Sequence, residues 1–176
     1  MYNFKGFSEK ANIALNLAFE CAQNMGHTFV GSEHILLGLL KTDSCAAQTI
    51  LNDNGLDAEA VNDKLLEIHG QGIRCSLNPN DITARGKRTL QAAKSISNRM
   101  GHGYVGTEHI LLALIQDSES YAVRFIQELG GDIIQLLFAG VAAARLRGVV
   151  RPAQQRVEQL QAGAVGQRLA RMIPYR

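Results

Sequence analysis

The apolar residues Ala11, Leu15, Ala18 and Ala22 recur at i, i+4, i+7 and i+11, which is one face of an α-helix. Ser8 stands just before this stripe, where a side-chain oxygen can accept from the free N–H groups of a first helical turn. Gly26 stands just after it, where a left-handed residue ends a helix without steric cost. A short β-like link, Phe29-Val30, leads to Ile35–Leu40, which is apolar almost all round and predicts a buried central helix capped by Ser32. A third helix is predicted over about 45–53, ending at Gly55, and a fourth from an Asp57 cap through Val61, Leu65 and Ile68.

The same order of elements returns 75 residues later. MGHTFVGSEHILLGLLK (25–41) and MGHGYVGTEHILLALIQ (100–116) align without a gap, and 11 of the 17 positions are identical. The offset carries upstream, Ser8 onto Thr83 and Leu15 onto Leu90, and downstream, Ala47 onto Ala122 and Asp57 onto Asp132. Such a register over more than 50 residues is a duplication. Thr107 repeats the Ser32 cap, Ile110–Ile115 the central helix, about 119–129 the third helix, and Asp132 caps a fourth running to about Leu146. Neither four-helix copy has apolar surface to spare, so the predicted fold is all-α: two pseudo-symmetric repeats packed face to face as one eight-helix domain. That domain spans 1–147, with repeat 1 over about 4–70, a Gly-, Ser-, Asn- and Pro-containing linker over 71–81 and repeat 2 over about 82–147. A basic tail occupies 148–176.

Charge sharpens this division. Residues 1–144 hold 11 Lys/Arg against 15 Asp/Glu, whereas residues 145–176 hold seven Arg against Glu158 alone. The tail's arginines lack interleaved aromatics, so nucleic-acid binding is not expected of it. Cys21, Cys45 and Cys75 show no CxxC spacing, and Cys21 and Cys45 are read as small hydrophobes of a reducing compartment. The most apolar stretch, Ile133–Ala144, is too short to cross a bilayer of ~30 Å, and no signal-peptide core opens the chain. A cytoplasmic location without membrane partners is expected.

The chemistry on offer is concentrated in G-[ST]-E-H-I-L-L, present at Gly31–Leu37 and Gly106–Leu112. Glu33 and Glu108 are expected at the first helical position, where a carboxylate stabilises the positive end of the dipole. The same place offers an anion cradle of backbone N–H groups beside an acceptor for a guanidinium, a combination suited to phosphorylated arginine. His27 and His34, and His102 and His109, form two pairs seven apart, with His69 as a fifth histidine. The order is Glu-His and HExxH is absent, so hydrogen-bonding histidines are expected rather than zinc ligands. No P-loop and no nucleophile elbow is present, so neither ATP hydrolysis, another enzyme activity nor a cofactor is expected of this chain.

With VGSEHILLGLL and VGTEHILLALI paired in this way, and with FSEKANIAL and ITARGKRTL opening the copies, the sequence closely resembles the double Clp repeat domain. This is the N-terminal domain of Hsp100/Clp AAA+ unfoldases, and the ClpC branch is the most similar. The resemblance covers about residues 4–145. It implies a domain above the ATPase rings that receives substrate and adaptor proteins for the rings and a Clp peptidase. It also implies phosphoarginine sites at Glu33 and Glu108, flanked by Ser32, Thr107, Gly31 and Gly106. The turns after the central helices, Lys41–Cys45 and Gln116–Ser120, depart from the acidic glycine-rich turn usual in that branch. The alternative reading is a stand-alone Clp-repeat regulator with no ATPase in cis.

Overall fold

The predicted caps at both ends of each repeat are in place in the computed structural model, which describes residues 1–146. Ser8 Oγ accepts from the Ala11 N–H at 3.2 Å to open α1 (Glu9–Met25), and Gly26 closes that helix at φ +73°. Asp57 opens α4 (Ala58–His69) by accepting from Ala60. Between them lie α2 (Ser32–Leu40) and α3 (Ala46–Asp53). Repeat 2 follows the same plan with α5 (Ala84–Arg99), α6 (Thr107–Ile115), α7 (Tyr121–Glu128) and α8 (Ile133–Leu146). Thr83 caps α5, and Asp132 caps α8 through the Ile134 N–H. The basic tail assigned to 148–176 lies outside the described residues.

All nine residues of α2 and all nine of α6 are buried, which makes these two helices the axis of the molecule. Their all-round apolar sequence is the cause, since a helix without a polar face has no stable place at a surface. Around them α1, α5, α3 and α7 contribute Leu15, Phe19, Leu90, Ile96, Leu51 and Phe125 to one continuous core that spans both repeats.

The repeats are clasped at two related points. Phe7 pairs with Val105 and Val30 with Ile82, each an isolated parallel β-bridge. At the first, Ser8 N–H donates to Val105 O at 2.9 Å and Val105 N–H to Gly6 O at 2.7 Å. At the second, Thr83 N–H donates to Val30 O and Val30 N–H to Asp81 O, both at 3.0 Å. The β-like links of the sequence are therefore strand fragments that each repeat lends to the other. The linker is ordered as well. Gly72 N–H donates to Met25 O, the Tyr2 hydroxyl donates to Leu77 O, and a single 3₁₀ turn (Pro79–Asp81) delivers the chain to α5.

Candidate functional site

The expected caps of the central helices are displaced by one residue. Gly31 and Gly106 are the N-caps, and Ser32 and Thr107 are the first helical residues. The reason lies in the glutamate that follows. Glu33 folds its carboxylate back over the Gly31 Cα, so a Cβ there would overlap Oε1 and lie 2.6 Å from Oε2. Glu108 covers Gly106 in the same way. Only glycine leaves room for the carboxylate at the helix N-terminus, where the dipole favours it.

The hydroxyls released from capping their own helix reach across the molecule. Ala122 N–H in α7 donates to Ser32 Oγ, and Ala47 N–H in α3 donates to Thr107 Oγ1, each at 3.4 Å. These are the second residues of helices in the opposite repeat. Each central helix thus caps a third helix of the other copy, and this pair of long hydrogen bonds adds to the two backbone clasps.

The histidines complete the cap. Gly31 N–H donates to His34 Nδ1 at 3.2 Å, filling the part that Glu or Gln plays in a capping box. His34 Nε2 lies 2.8 Å from His27 Nδ1, and His27 Nε2 lies 3.0 Å from Gly70 O. A carbonyl only accepts, so His27 carries its proton on Nε2. Its Nδ1 then accepts from His34 Nε2–H, and His34 Nδ1 accepts from Gly31. Backbone N–H, ring, ring and backbone carbonyl form one relay in a single tautomeric state. Repeat 2 has the same first links, Gly106 N–H to His109 Nδ1 at 2.9 Å and His109 Nε2 to His102 Nδ1 at 2.8 Å.

Glu33 is 2% exposed and Glu108 0%. Burial works against the Glu33 carboxylate. His34 Nδ1 is close, 3.3 Å from Oε1, but is committed to the Gly31 N–H. The donors are therefore the Ser32 hydroxyl, 3.1 Å from Oε2, and the backbone N–H of Glu33 itself. Glu33→Gln is expected to cost about 2 kcal/mol at neutral pH, the worth of a hydrogen bond to a charged group. Urea unfolding of the two proteins at pH 7 measures this loss. Equal midpoints would remove the ionised carboxylate from this account.

Repeat 1 carries a cluster that repeat 2 lacks. His69, at the end of α4, packs edge-on against His27, Phe29 and Tyr121 of α7, with ring centroids 5.3–5.8 Å apart. Its Nε2 lies 3.8 Å from Glu33 Oε1. Burial pushes the His69 imidazole below its ordinary value, against the opposing pull of Glu33. The equivalent residue in repeat 2 is Ala144. Thus His69 closes over Glu33, and the duplication gave no sign of it.

The expected ligand residues are brought together: Gly31, Ser32 and Glu33 at one helix N-terminus, Gly106, Thr107 and Glu108 at the other. What occupies each N-terminus is the protein's own carboxylate. The anion cradle is filled from within, and the hydroxyls are engaged across the repeat boundary.

Residues 6–129, and again 81–164, match the family described as the Clp repeat (R) N-terminal domain. The chloroplastic chaperone protein ClpC of Pisum sativum is 36% identical over 129 residues, 73% of this chain and 14% of that protein. The chain thus spans about one seventh of the length of the curated relatives it matches. The crystal structure of the N-terminal domain of ClpD from Arabidopsis thaliana superposes with a TM-score of 0.66 at 23% identity, covering 80% of this chain and 99% of that one. A complex of the ClpV N-domain with a VipB peptide superposes at 0.54 with 18% identity, covering 79% and 88%. Among the described residues, no single helix is long and apolar enough to cross a membrane.

Proposed function

The chain belongs to the Clp repeat N-terminal domain family, and from that premise we propose that it is the receiving domain of a Clp/Hsp100 ATP-dependent unfoldase, binding substrate and adaptor proteins in protein quality control. The observation that carries this reading is where the repeated motif spends its polar groups. Glycine, carboxylate and imidazole are used to close the N-terminus of the central helix, and the Ser32 and Thr107 hydroxyls accept across the repeat boundary. A scaffold of this kind leaves its outer helix faces for partners, and the ClpV N-domain, which shares the fold, is known with a peptide of another protein. Titration of the chain with an unfolded protein such as β-casein, followed by fluorescence anisotropy, is expected to give saturable binding that ATP does not alter. Failure to bind β-casein and any adaptor peptide would sink the reading.

The finer proposal is that phosphoarginine-marked proteins are among the ligands, with Glu33 and Glu108 accepting the guanidinium and Ser32, Thr107, Gly31 and Gly106 beside the phosphate. It requires each carboxylate to swing off its own helix N-terminus, and Glu33 to pass His69. Calorimetry with a phosphoarginine peptide and its unmodified twin tests it. Equal affinity in the Glu33→Gln/Glu108→Gln variant would take these residues out of the site.

A further inference from the structure

The duplication supplies an internal control for every surface position, because the same site in the other repeat shows what an outward-facing residue there can be. On α4 the outer face is polar: Glu59, Asp63 and Glu67 are exposed and Asn62 is half-buried. The positions 75 residues on, along α8, hold Ile134, Asp63's counterpart Phe138, Ala142 and, for Asn62, Leu137. Ile134 is 64% exposed, Leu137 38% and Phe138 71%. Inward-facing Leu136, Gly140 and Ala144 are buried, Gly140 lying close against Leu112 of α6. The outward stripe is therefore not needed to seat α8. Four polar positions of one repeat are apolar in the other while remaining in solvent, and isolated scatter does not produce a stripe at i, i+3, i+4 and i+8.

We propose that this face pairs with the α8 of a second copy of the chain, antiparallel about a two-fold axis. The stripe is bounded by exposed Asp132 at its start and exposed Arg145 at its end, and is otherwise free of charge. Arg145 stands eleven residues after Ile134, on the same face of the helix. Antiparallel pairing brings Arg145 of each copy to the Asp132 end of the other, some 20 Å along the helix, and opposes the helix dipoles favourably. Parallel pairing would set arginine against arginine. With the axis beside Phe138, Ile134 of one copy meets Ala142 of the other, large against small, and the contact is isologous. The three exposed apolar side chains offer roughly 400 Å² per copy, below the roughly 800 Å² per partner of a stable interface, so the dimer is weak and reversible. A dissociation constant on the order of 0.1 mM is expected.

Sedimentation equilibrium of the whole 176-residue chain, from about 10 µM to about 1 mM, is expected to show a mass rising from 19.2 kDa toward twice that value. Ile134→Glu/Phe138→Asp, which installs the residues repeat 1 has at these positions, should weaken association at least tenfold while leaving the helical CD spectrum and the melting temperature unchanged. Arg145→Glu should weaken it about threefold, as expected of exposed ion pairs. A monomer at every concentration would overturn the proposal and leave the stripe to a foreign partner. A dimer indifferent to Ile134→Glu/Phe138→Asp would overturn it equally, and association unchanged or tightened by Arg145→Glu would overturn the antiparallel arrangement.

Discussion

Gly38→Ala is expected to lower the unfolding free energy by about 3 kcal/mol, the upper end of what one added methyl costs in a packed interior. The cause is the closeness of α1 to α2. A Cβ on Gly38 would overlap the Ala14 carbonyl oxygen and lie 2.9 Å from the Ala18 nitrogen. Both obstacles are main-chain atoms of a regular helix, so no rotamer change relieves the clash. Either α1 moves away, loosening Ala14 and Ala18 from the core, or α2 tilts and strains the cap at Gly31. Repeat 2 supplies the control, because the same position there is Ala113, buried and accommodated. Ala113→Gly should cost only about 1 kcal/mol, chiefly the backbone freedom of glycine in a helix. For a domain whose total stability is of the order of 5–15 kcal/mol, a 3 kcal/mol loss moves the denaturant midpoint well clear of error. Equal midpoints for Gly38→Ala and the parent would mean that the two helices do not approach as described.

The pair Gly38 and Ala113 also shows how far the sequence could be read. The helices, their order and their enclosing caps followed from a period of 3.6 residues and from a pattern written twice, because burial and capping are local demands. The relation between repeats is not local. Ser32 has the chemistry of an N-cap and its sequence position predicts that place, but its oxygen serves Ala122, ninety residues away. Cys45 has the chemistry of a small hydrophobe, yet its Sγ accepts from the Gln48 N–H and caps α3. Its counterpart Ser120 caps α7 in the ordinary way, and the offset of 75 discloses the shared role. Glu33 and Glu108 were correctly placed at helix N-termini, but their burial depends on a packing between repeats that no single helical pattern contains. The outer stripe of α8 was legible in principle. The length of Ile133–Ala144 speaks only to a membrane, whereas Phe138 set against Asp63 marks a surface position that has changed its polarity.

The histidine relay predicts the second large effect. His34→Leu keeps nearly the same volume at a fully buried position but removes both nitrogens from the chain of hydrogen bonds. The Gly31 N–H then faces no acceptor, and His27 Nδ1 no donor, inside a site closed to water. Each orphaned group costs roughly 1–3 kcal/mol, so a loss of about 3 kcal/mol is expected. His34→Gln should recover about half of it, because an amide oxygen at the third helical position accepts from the N-cap as in an ordinary capping box. His109→Leu is expected to cost less than His34→Leu, near 2 kcal/mol, since His102 is half-buried and can turn its freed nitrogen to water. Urea unfolding of the three variants measures these losses. Ring-nitrogen NMR of the parent chain tests the arrangement directly, with His27 and His34 both expected as the Nε2–H tautomer. A proton on Nδ1 of either ring would break the relay, and with it the reason why a histidine follows the glutamate in both copies of the motif.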